Sequence, residues 1–337
     1  MKILIIGAAG MIGARLTQRL LQNGNLHGRS VQQLNLADIV DPSVTGTSIK
    51  GTSVTGNGTG VEIHTRAADL GTPGVAQELV ADEPDLIYHL AAIVSGEAEA
   101  DFDKGYRINL DGTRSLLEAI RKRHETTGYT PQLLFTSSIA VYGAPFPARI
   151  DDEFHQTPMT SYGTQKAICE LLLADYNRRG IVRGVGLRLP TICIRPGRPN
   201  LAASGFFSNI LREPINGQSA ILPVEDTVRH WFASPRAAVG FLIKAASLTP
   251  DELGPRCNLN LPGLSATVKE QIESLERVVG SDAVKLIHRE PDATIRAIVA
   301  NWPESFDTRR ATALGFVAET SFDDIIKVYL EDDWSGT

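Results

Sequence analysis

Short runs of branched apolar residues alternate along this chain with longer stretches in which apolar residues recur at helical spacing. The first run, 2–6, ends at a glycine and is followed by Leu16, Leu20 and Leu21, so the chain is expected to open with a strand, a tight turn and a helix. The same pattern predicts further strands at 34–40, 85–90, 132–137, 185–194 and 256–261, and further helices at 110–123, 161–179 and 237–246. Strands that alternate with helices predict an α/β fold with a doubly wound parallel sheet.

Two stretches interrupt this alternation. The segment from Asp41 to Gly60 is rich in Gly, Thr and Ser and has no sustained apolar face, which predicts a surface hairpin or a mobile loop outside the core. After about residue 195, glycines and prolines are scattered and the helices are separated by irregular stretches. We therefore expect 1–190 to form the sheet domain, rejoined by about 237–262, and 191–236 with 263–337 to form a smaller substrate-binding lobe.

Composition narrows the possible partners and the compartment. The chain has 337 residues, 33 basic and 39 acidic side chains, and a formal net charge of −6. This mild acidity favours neither nucleic acid nor an anionic membrane as a partner. The cysteines, Cys169, Cys193 and Cys257, are far apart, which favours the reducing cytoplasm and gives no zinc-ligand spacing. We expect a protein without a membrane span, a signal peptide or a bound metal.

The first strand leads into the glycine-rich stretch Gly7-Ala-Ala-Gly-Met-Ile-Gly13. In such a turn, glycine lets the backbone approach a pyrophosphate, and the free N–H groups at the helix start face the anion. The spacing differs from Gly-x-Gly-x-x-Gly, and a plain strand-to-helix turn is the alternative. The expected dinucleotide contacts in this stretch are made by Gly7, Ala9, Gly10, Met11, Ile12 and Gly13.

Acidic residues follow the next two strands. Asp38 ends the second strand, where a carboxylate takes the adenosine ribose hydroxyls and repels a 2′-phosphate, which favours NAD over NADP. Its alternative role is that of a solvated turn residue beside Asp41. Asp69 and Leu70 follow the third strand and are candidates to meet the adenine, although a turn aspartate is the alternative for Asp69.

Tyr162 and Lys166 are four residues apart, on one face of a predicted helix. A neighbouring ammonium stabilises a phenolate and brings the phenol closer to the range of a working general base. A surface pair is the usual explanation of this spacing by itself. The hydroxyl-bearing strand end Thr136-Ser-Ser138 lies upstream, where a serine can hold the reacting oxygen while Tyr162 moves its proton.

Together these motifs resemble the extended short-chain dehydrogenase/reductase family, which contains sugar-nucleotide epimerases and dehydratases. The motifs that carry the resemblance span nearly the whole chain: Gly7-Ala-Ala-Gly-Met-Ile-Gly13, His89-Leu-Ala-Ala92, Asn109-Leu-Asp-Gly-Thr113, Thr136-Ser-Ser138 with Val141-Tyr-Gly143, and Tyr162-x-x-x-Lys166. The resemblance implies a Rossmann domain that binds NAD, with Tyr162 as general base or acid, Lys166 on the nicotinamide ribose and Ser138 as the hydroxyl partner. It further implies a homodimer formed through the Tyr-x-x-x-Lys helix, and cofactor-site roles for Leu90, Ala91, Ala92, Asn109 and Pro190.

The later segments bear on the substrate. The stretch 228–236 keeps only the first arginine of the segment that nucleotide-sugar enzymes of this family usually carry. The stretches 195–200 and 202–207 are similar to those of members that oxidise a small sugar acid, D-erythronate, at C2. Arg198 and Arg229 are candidates to bind the acid's carboxylate, because a guanidinium matches a carboxylate bidentately, and Ser204 is a candidate for a substrate hydroxyl. Surface or interlobe ion pairs are the alternatives for the arginines, and a turn position is the alternative for Ser204.

The first hypothesis is an NAD-dependent dehydrogenase that oxidises the C2 hydroxyl of a D-erythronate-like sugar acid to the 2-keto acid. The alternative is a nucleotide-sugar 4-epimerase that retains tightly bound NAD. A third class is a protein that senses NAD without turnover, although a sensor has no need of the Ser, Tyr and Lys set.

Overall fold

A computed structural model describes residues 1–42, 54–55, 60–197 and 204–335. Within these residues the strands are β1 Lys2–Ile6, β2 Asn25–Leu26, β3 Arg29–Ser30, β4 Gln33–Asp38, β5 Val54–Thr55, β6 Glu62–Ala67, β7 Leu86–His89, β8 Gln132–Ser138, β9 Arg183–Leu189, β10 Thr191–Ile192, β11 Ala220–Leu222, β12 Arg229–Ala233, β13 Asn258–Asn260, β14 Leu264–Thr267 and β15 Ile287–Arg289.

The helices of the same residues are α1 Met11–Asn23, α2 Val75–Leu79, α3 Ser95–Ala100, α4 Phe102–Gly105, α5 Gly112–Thr127, α6 Ser161–Arg178, α7 Gly205–Ile215, α8 Pro235–Ala245, α9 Pro250–Leu253, α10 Val268–Val278, α11 Ser281–Val284, α12 Ala293–Val299, α13 Arg309–Ala313 and α14 Phe322–Asp332. A π-helical turn, Tyr106–Asp111, precedes α5, and a 3₁₀ turn, Ile139–Val141, follows β8. None of these helices is long and apolar enough to cross a membrane.

The main sheet has the strand order β13-β9-β8-β7-β1-β4-β6-β5, and all of its pairings are parallel except that of β5 with β6. This arrangement confirms the predicted α/β fold with a doubly wound parallel sheet. Ile3 and Ile5 pack in one buried cluster, and Leu4 and Ile6 pack in another. The alternation shows why β1 is apolar from Ile3 to Ile6, since both faces of a parallel sheet are covered.

The structure shortens two predicted strands. The second strand ends at Asp38, not at residue 40, and Ile39 and Val40 are exposed. The strand expected at 185–194 is divided at Pro190 into β9 and β10. A proline has no N–H with which to continue a ladder, so the chain leaves the main sheet there. β10 joins a small sheet of order β10-β12-β14.

The helix expected at 110–123 begins earlier and ends later, because the π-helical turn at 106–111 leads directly into α5. The segment predicted as a hairpin or mobile loop lies for the most part outside the described residues. Val54–Thr55, within it, pairs antiparallel with β6 at the edge of the main sheet.

The chain returns to the main sheet through α8 and β13. Ser234 caps α8 by accepting a hydrogen bond from the N–H of Ala237 at 2.9 Å, and Pro235 occupies the first helical position. β13 then pairs parallel with β9. The sheets β10-β12-β14 and β11-β15, with α7, α10 to α12 and α14, build a separate apolar cluster beside the main sheet, which includes Phe207, Phe232 and Leu275.

Candidate active site

The predicted functional residues gather at one edge of the main sheet. Gly7 follows β1, Asp38 ends β4, Leu90 follows β7 and Ser138 ends β8. Because these strands are parallel, their carboxyl ends lie at the same edge, which is where ligands bind in open α/β sheets. The topology therefore brings together groups that are far apart in the sequence.

The turn between β1 and α1 is held close to its neighbours. Gly7 has φ +95°, and the N–H groups of Gly7 and Ala8 donate to the carbonyl oxygen of Ala37 at 2.8 and 3.1 Å. A Cβ at Gly13 would lie 2.1 Å from the carbonyl oxygen of Gly7, whereas a Cβ at Gly10 would have no heavy atom nearer than 3.4 Å. Gly7 and Gly13 therefore allow the backbone of the turn to pack closely, whereas Gly10 leaves the start of α1 open.

The start of α1 has the chemistry of an anion-binding site. Gly10 is the N-cap and supplies no side-chain acceptor, and the first turn contains no acidic residue. Backbone N–H groups at an uncapped helix start are suited to the pyrophosphate of a dinucleotide. Met11 and Ile12 pack against the core and keep this turn in place.

Asp38 lies beside this turn. Its carboxylate accepts hydrogen bonds from the N–H of Ala9 at 2.9 Å and from that of Ile39 at 2.7 Å. A carboxylate has about four acceptor positions, so it keeps capacity for ribose hydroxyls. Asp38 thus keeps acceptor positions beside the turn at which the dinucleotide, with its adenosine ribose, is predicted to bind.

The other residues expected around the cofactor have different environments. Asp69 accepts from the N–H of Gly71 at 2.9 Å and pairs with Arg107 at 2.8 Å, while Leu70 is buried in the core. Asn109 is buried and holds the loop after β7, accepting from the N–H of Ile93 at 2.9 Å. Asn109 is therefore a supporting residue of that loop.

The loop after β7 begins at the sheet edge. The N–H groups of Leu90 and Ala91 both donate to the carbonyl oxygen of Ile6, at 2.8 and 3.0 Å. Ala92 follows with a half-buried side chain. These three residues border the turn of β1, and Pro190 is buried at the end of β9 on the same edge.

Tyr162 lies in the first turn of α6 and reaches the strand end of β8. Thr160 caps the helix by accepting from the N–H of Gly163 at 3.0 Å. A Cβ at position 163 would lie 2.1 Å from the carbonyl oxygen of Ala140, so glycine there lets the helix approach the turn after Ser138. The Ser138 hydroxyl is consequently near enough to the Tyr162 phenol to lower its pKa. Ser137, on the opposite side of the strand, donates instead to Glu170 at 2.5 Å.

Lys166 is buried one turn further along α6. Its ammonium donates to the carbonyl oxygen of Thr136 at 2.8 Å and lies 5.7 Å from the centroid of the Tyr162 ring. Burial lowers the pKa of Lys166 to about 8. One of its three N–H donors is used by Thr136, so two are left for a ligand.

Burial raises the pKa of the Tyr162 phenol to about 12, while the hydrogen bond from Ser138 and the positive charge of Arg195 oppose this rise. The Lys166 ammonium donates to a backbone carbonyl oxygen, and its effect on the phenol stays a prediction. The positive charge that opposes the rise in the pKa of Tyr162 is that of the Arg195 guanidinium.

Thr191 and His230 form a hydrogen-bonded pair in the sheet β10-β12-β14, and the sequence did not predict it. The Nδ1 of His230 lies 3.0 Å from the carbonyl oxygen of Pro303, which can only accept, so this nitrogen carries the proton. Nε2 then accepts from the Thr191 hydroxyl at 2.7 Å. Burial lowers the pKa of His230 to about 3, which keeps the ring neutral. His230 therefore orients Thr191, next to Pro190.

The residues predicted to bind the substrate were Arg198 and Arg229, for its carboxylate, and Ser204, for a hydroxyl. Arg229 contacts the carbonyl oxygen of Ser265 at 3.2 Å and pairs with Glu270 at 3.4 Å. The guanidinium of Arg229 is already engaged by these two groups. Neighbouring residues of a strand point to opposite faces, so Arg229 lies on the face opposite His230 and is not part of the candidate site. Arg198 lies outside the described residues. Ser204 is buried at the start of α7 and accepts a hydrogen bond from Arg195 at 2.6 Å.

Comparisons with known proteins agree with this geometry. Residues 3–233 match the model of the NAD dependent epimerase/dehydratase family. The chain is 45% identical over 336 residues to a D-erythronate dehydrogenase of Cupriavidus necator, with 98% of each protein covered. It is 40% identical over 333 residues to a D-erythronate dehydrogenase of Haemophilus influenzae, with 99% of this chain and 100% of that protein covered.

Among solved structures, the crystal structure of the nucleoside-diphosphate-sugar epimerase from Agrobacterium tumefaciens has a TM-score of 0.93 and 58% sequence identity, and the match covers 100% of this chain and 95% of that one. The fold and site define an NAD-dependent oxidoreductase of the extended short-chain dehydrogenase/reductase type. The chain belongs to the NAD-dependent epimerase/dehydratase family, and its cofactor is NAD.

Proposed function

We propose that the protein oxidises the C2 hydroxyl of a small sugar acid, with D-erythronate as the substrate and the 2-keto acid as the product. The observation that carries this proposal is the convergence of Tyr162, in the first turn of α6, and the buried Lys166 on the end of β8, where Ser138 lies. Two relatives that match nearly full length are D-erythronate dehydrogenases, and this supports the choice of substrate.

The residues divide the reaction between them. Tyr162, as the phenolate, takes the proton of the C2 hydroxyl, and Ser138 donates a hydrogen bond to the oxygen that becomes the carbonyl. When bound, NAD would supply the acceptor for the hydride that leaves C2, so that one sugar acid and one NAD would give one keto acid, one NADH and one proton. Lys166 holds the nicotinamide ribose through its two unused donors.

The cradle for NAD is proposed to comprise the glycine turn, Asp38 and the loop after β7. Asp38 holds the adenosine ribose, and Asp69 with Leu70 lies on the side of the adenine. Pro190 lies on the side of the nicotinamide. Residues 191–236 and 263–337 then form the lobe that covers the substrate.

The proposal is tested with purified protein, NAD and D-erythronate deuterated at C2. We expect NADH formation, a 2-keto acid by mass spectrometry and transfer of the deuterium to the nicotinamide. D-erythronate deuterated at C3 is the matched control, and its label is expected to stay in the product. Transfer of deuterium from C3 to the nicotinamide would show that C3 is oxidised and would contradict oxidation at C2.

The second candidate function is nucleotide-sugar 4-epimerisation, which is favoured by the name of the Agrobacterium protein. An epimerase of this kind interconverts UDP-sugars without net NADH formation. Incubation of the protein with UDP-glucose and UDP-galactose, without sugar acid, separates the two functions. Interconversion of these sugars, together with no turnover of D-erythronate, would favour the epimerase.

A homodimer is proposed to form through the outer side of α6. Leu171 on α6 is 67% exposed, and Phe102 on the neighbouring α4 is 58% exposed. A second copy of the chain would cover both side chains. Sedimentation equilibrium is expected to show a dimer for the wild type and a monomer for Leu171→Glu, and a wild-type monomer at micromolar concentration would contradict this assignment.

The buried, unpaired thiols of Cys169, Cys193 and Cys257 favour a reducing compartment, and we place the protein in the cytoplasm. Fractionation of the cells that express it tests this location. Recovery with an extracytoplasmic fraction would contradict it.

A further inference from the structure

The guanidinium of Arg195 occupies an unusual position at the boundary between the main sheet and α7. Arg195 follows β10 and is partly buried, and burial lowers its pKa. Its Nε donates to the carbonyl oxygen of Ile192 at 3.0 Å, and one terminal nitrogen, Nη2, donates to the Ser204 hydroxyl at 2.6 Å. The other terminal nitrogen, Nη1, makes no hydrogen bond within the described part of the chain.

No carboxylate of the protein neutralises this cation. All aspartates and glutamates lie in the described residues, and none of them forms an ion pair with Arg195. The neighbouring Arg212 differs, because it pairs with Glu213 at 2.5 Å and donates to the backbone carbonyl oxygen of Arg195. A partly buried charge without a counter-ion is costly, so the arrangement is suited to an anion that arrives with a ligand.

Two further groups converge on the same place. The Ser204 oxygen accepts from Arg195, and within the described residues its own hydrogen has no acceptor. Ser204 is also the N-cap of α7, whose first turn has no side-chain cap and no acidic residue. Arg195 is near enough to Tyr162 for its charge to act on the phenol. A guanidinium, a hydroxyl and a helix start thus meet beside the proposed general base.

We infer that Arg195 and Ser204 bind the carboxylate of the substrate and so select the hydroxyl at C2 for oxidation. This inference rests on the proposed function, to which it adds the residues that select C2. In a 2-hydroxy acid the carboxylate is attached directly to C2. A carboxylate held beside the phenol therefore brings the C2 oxygen, rather than that of C3 or C4, to Tyr162.

The position of the anchor relative to the base is what makes the choice. A cation at the far end of the substrate would leave C3 or C4 next to the phenol. Arg229 does not meet the requirement, because its guanidinium faces Ser265 and Glu270. Nη1 and Nη2 of one arginine can contact both oxygens of a carboxylate, and this geometry is specific for a planar anion.

The test compares the wild type, Arg195→Met, Arg195→Lys and the matched control Arg229→Met. Each is assayed with D-erythronate and with its neutral amide, D-erythronamide. For Arg195→Met we expect kcat/KM for the acid to fall about 100-fold more than kcat/KM for the amide, because both substrates lose the effect of the guanidinium on the phenol and only the acid loses its carboxylate partner. Arg195→Lys should recover part of the loss, because it restores the charge without the planar fork. Arg229→Met should resemble the wild type with both substrates.

Binding of D-erythronate to each protein saturated with NADH, measured by calorimetry, separates this inference from the proposed function. If the wild type binds the acid without oxidising it, the proposed function fails, and loss of binding in Arg195→Met still supports the anchor. If Arg195→Met loses as much activity with the amide as with the acid, the anchor is overturned. It is also overturned if Arg198→Met or Arg229→Met, rather than Arg195→Met, abolishes the preference for the acid, or if the wild type neither binds nor oxidises it.

Discussion

The ammonium of Lys166 lies 5.7 Å from the ring centroid of Tyr162 and donates its hydrogen bond to the carbonyl oxygen of Thr136. One turn of α6 separates the two residues, and both are directed towards the end of β8. The two side chains therefore have different tasks. Tyr162 faces the Ser138 hydroxyl, whereas Lys166 is anchored to the strand and keeps two donors for the cofactor.

Removal of the phenol hydroxyl should abolish proton transfer without removing the cofactor site. For Tyr162→Phe we expect kcat for the oxidation of D-erythronate to fall by about 10²–10⁴, the range that general base catalysis supplies. The dissociation constant of NAD, measured by quenching of protein fluorescence, should stay near that of the wild type. An equal loss of NAD binding would assign Tyr162 to the cofactor instead of the base, and unchanged turnover would favour a different base.

The rate should rise with pH. The pKa of Tyr162 is about 12 in the ligand-free protein, so the phenolate that takes the proton is the minor form near neutrality and its fraction grows as the pH increases. In Ser138→Ala the hydrogen bond that lowers this pKa is lost. Its ascending limb of kcat at saturating NAD should move to higher pH by about 0.5–1 unit. A rate that falls with pH between 6 and 10 would contradict the sign.

The glycines of the first turn should separate stability from cofactor binding. In Gly13→Ala the new Cβ would lie 2.1 Å from the carbonyl oxygen of Gly7, so we expect the free energy of unfolding to fall by about 1–3 kcal/mol. In Gly10→Ala the Cβ has room, and stability should change little while NAD binding weakens about tenfold or more. Urea denaturation and NAD titration of both variants measure this contrast. Equal stability of the two variants would contradict the packing argument.

Asp38 and its exposed neighbour Ile39 should control the preference for NAD over NADP. In the double variant Asp38→Ser with Ile39→Arg, the carboxylate that repels a 2′-phosphate is removed and a guanidinium is added beside it. Each charged interaction contributes about 1.5–3 kcal/mol, so the ratio of kcat/KM for the two cofactors should shift by about 10²–10⁴ towards NADP. Asp41→Ser is the control, with no shift expected. An unchanged ratio in the double variant would remove Asp38 from the cofactor site.

Loss of the buried ion pair between Glu170 on α6 and Arg188 on β9 should lower the free energy of unfolding far more than loss of an exposed ion pair on α6. The two side chains are bonded at 2.8 Å and are almost wholly buried, and Arg188 also lies 3.8 Å from Asp152. Glu170→Ala leaves a buried cation and should lower the free energy of unfolding by about 3–5 kcal/mol. Asp175→Ala breaks an exposed pair with Arg178 and should change it by less than about 1 kcal/mol. Similar losses in the two variants would contradict this ranking.

The fold could be predicted where the pattern is local. Lys2–Ile6 forms a strand as expected, because a short run of branched apolar residues that ends at a glycine is a local signal. α6 begins at Ser161 as expected, and Thr160 caps it. The bounds were less accurate where tertiary contacts decide them. Pro190 ended a strand that the apolar run alone extended to residue 194, since the pattern does not show which sheet each half joins.

The sequence by itself determined the α/β class, the glycine turn with Asp38, and the spacing that puts Tyr162 and Lys166 on one face of a helix. These features depend on neighbours along the chain and on the geometry of single elements. Only the tertiary structure showed that Arg195 is near enough to the phenol for its charge to act on it, because the sequence pattern of 195–200 does not show where its arginines lie. The environment of Arg195 arises from the separate positions of β10, α7 and α6, and that of Arg229 from the pairing of β12 with β14. Contacts between segments so distant in sequence exist only once the chain has folded.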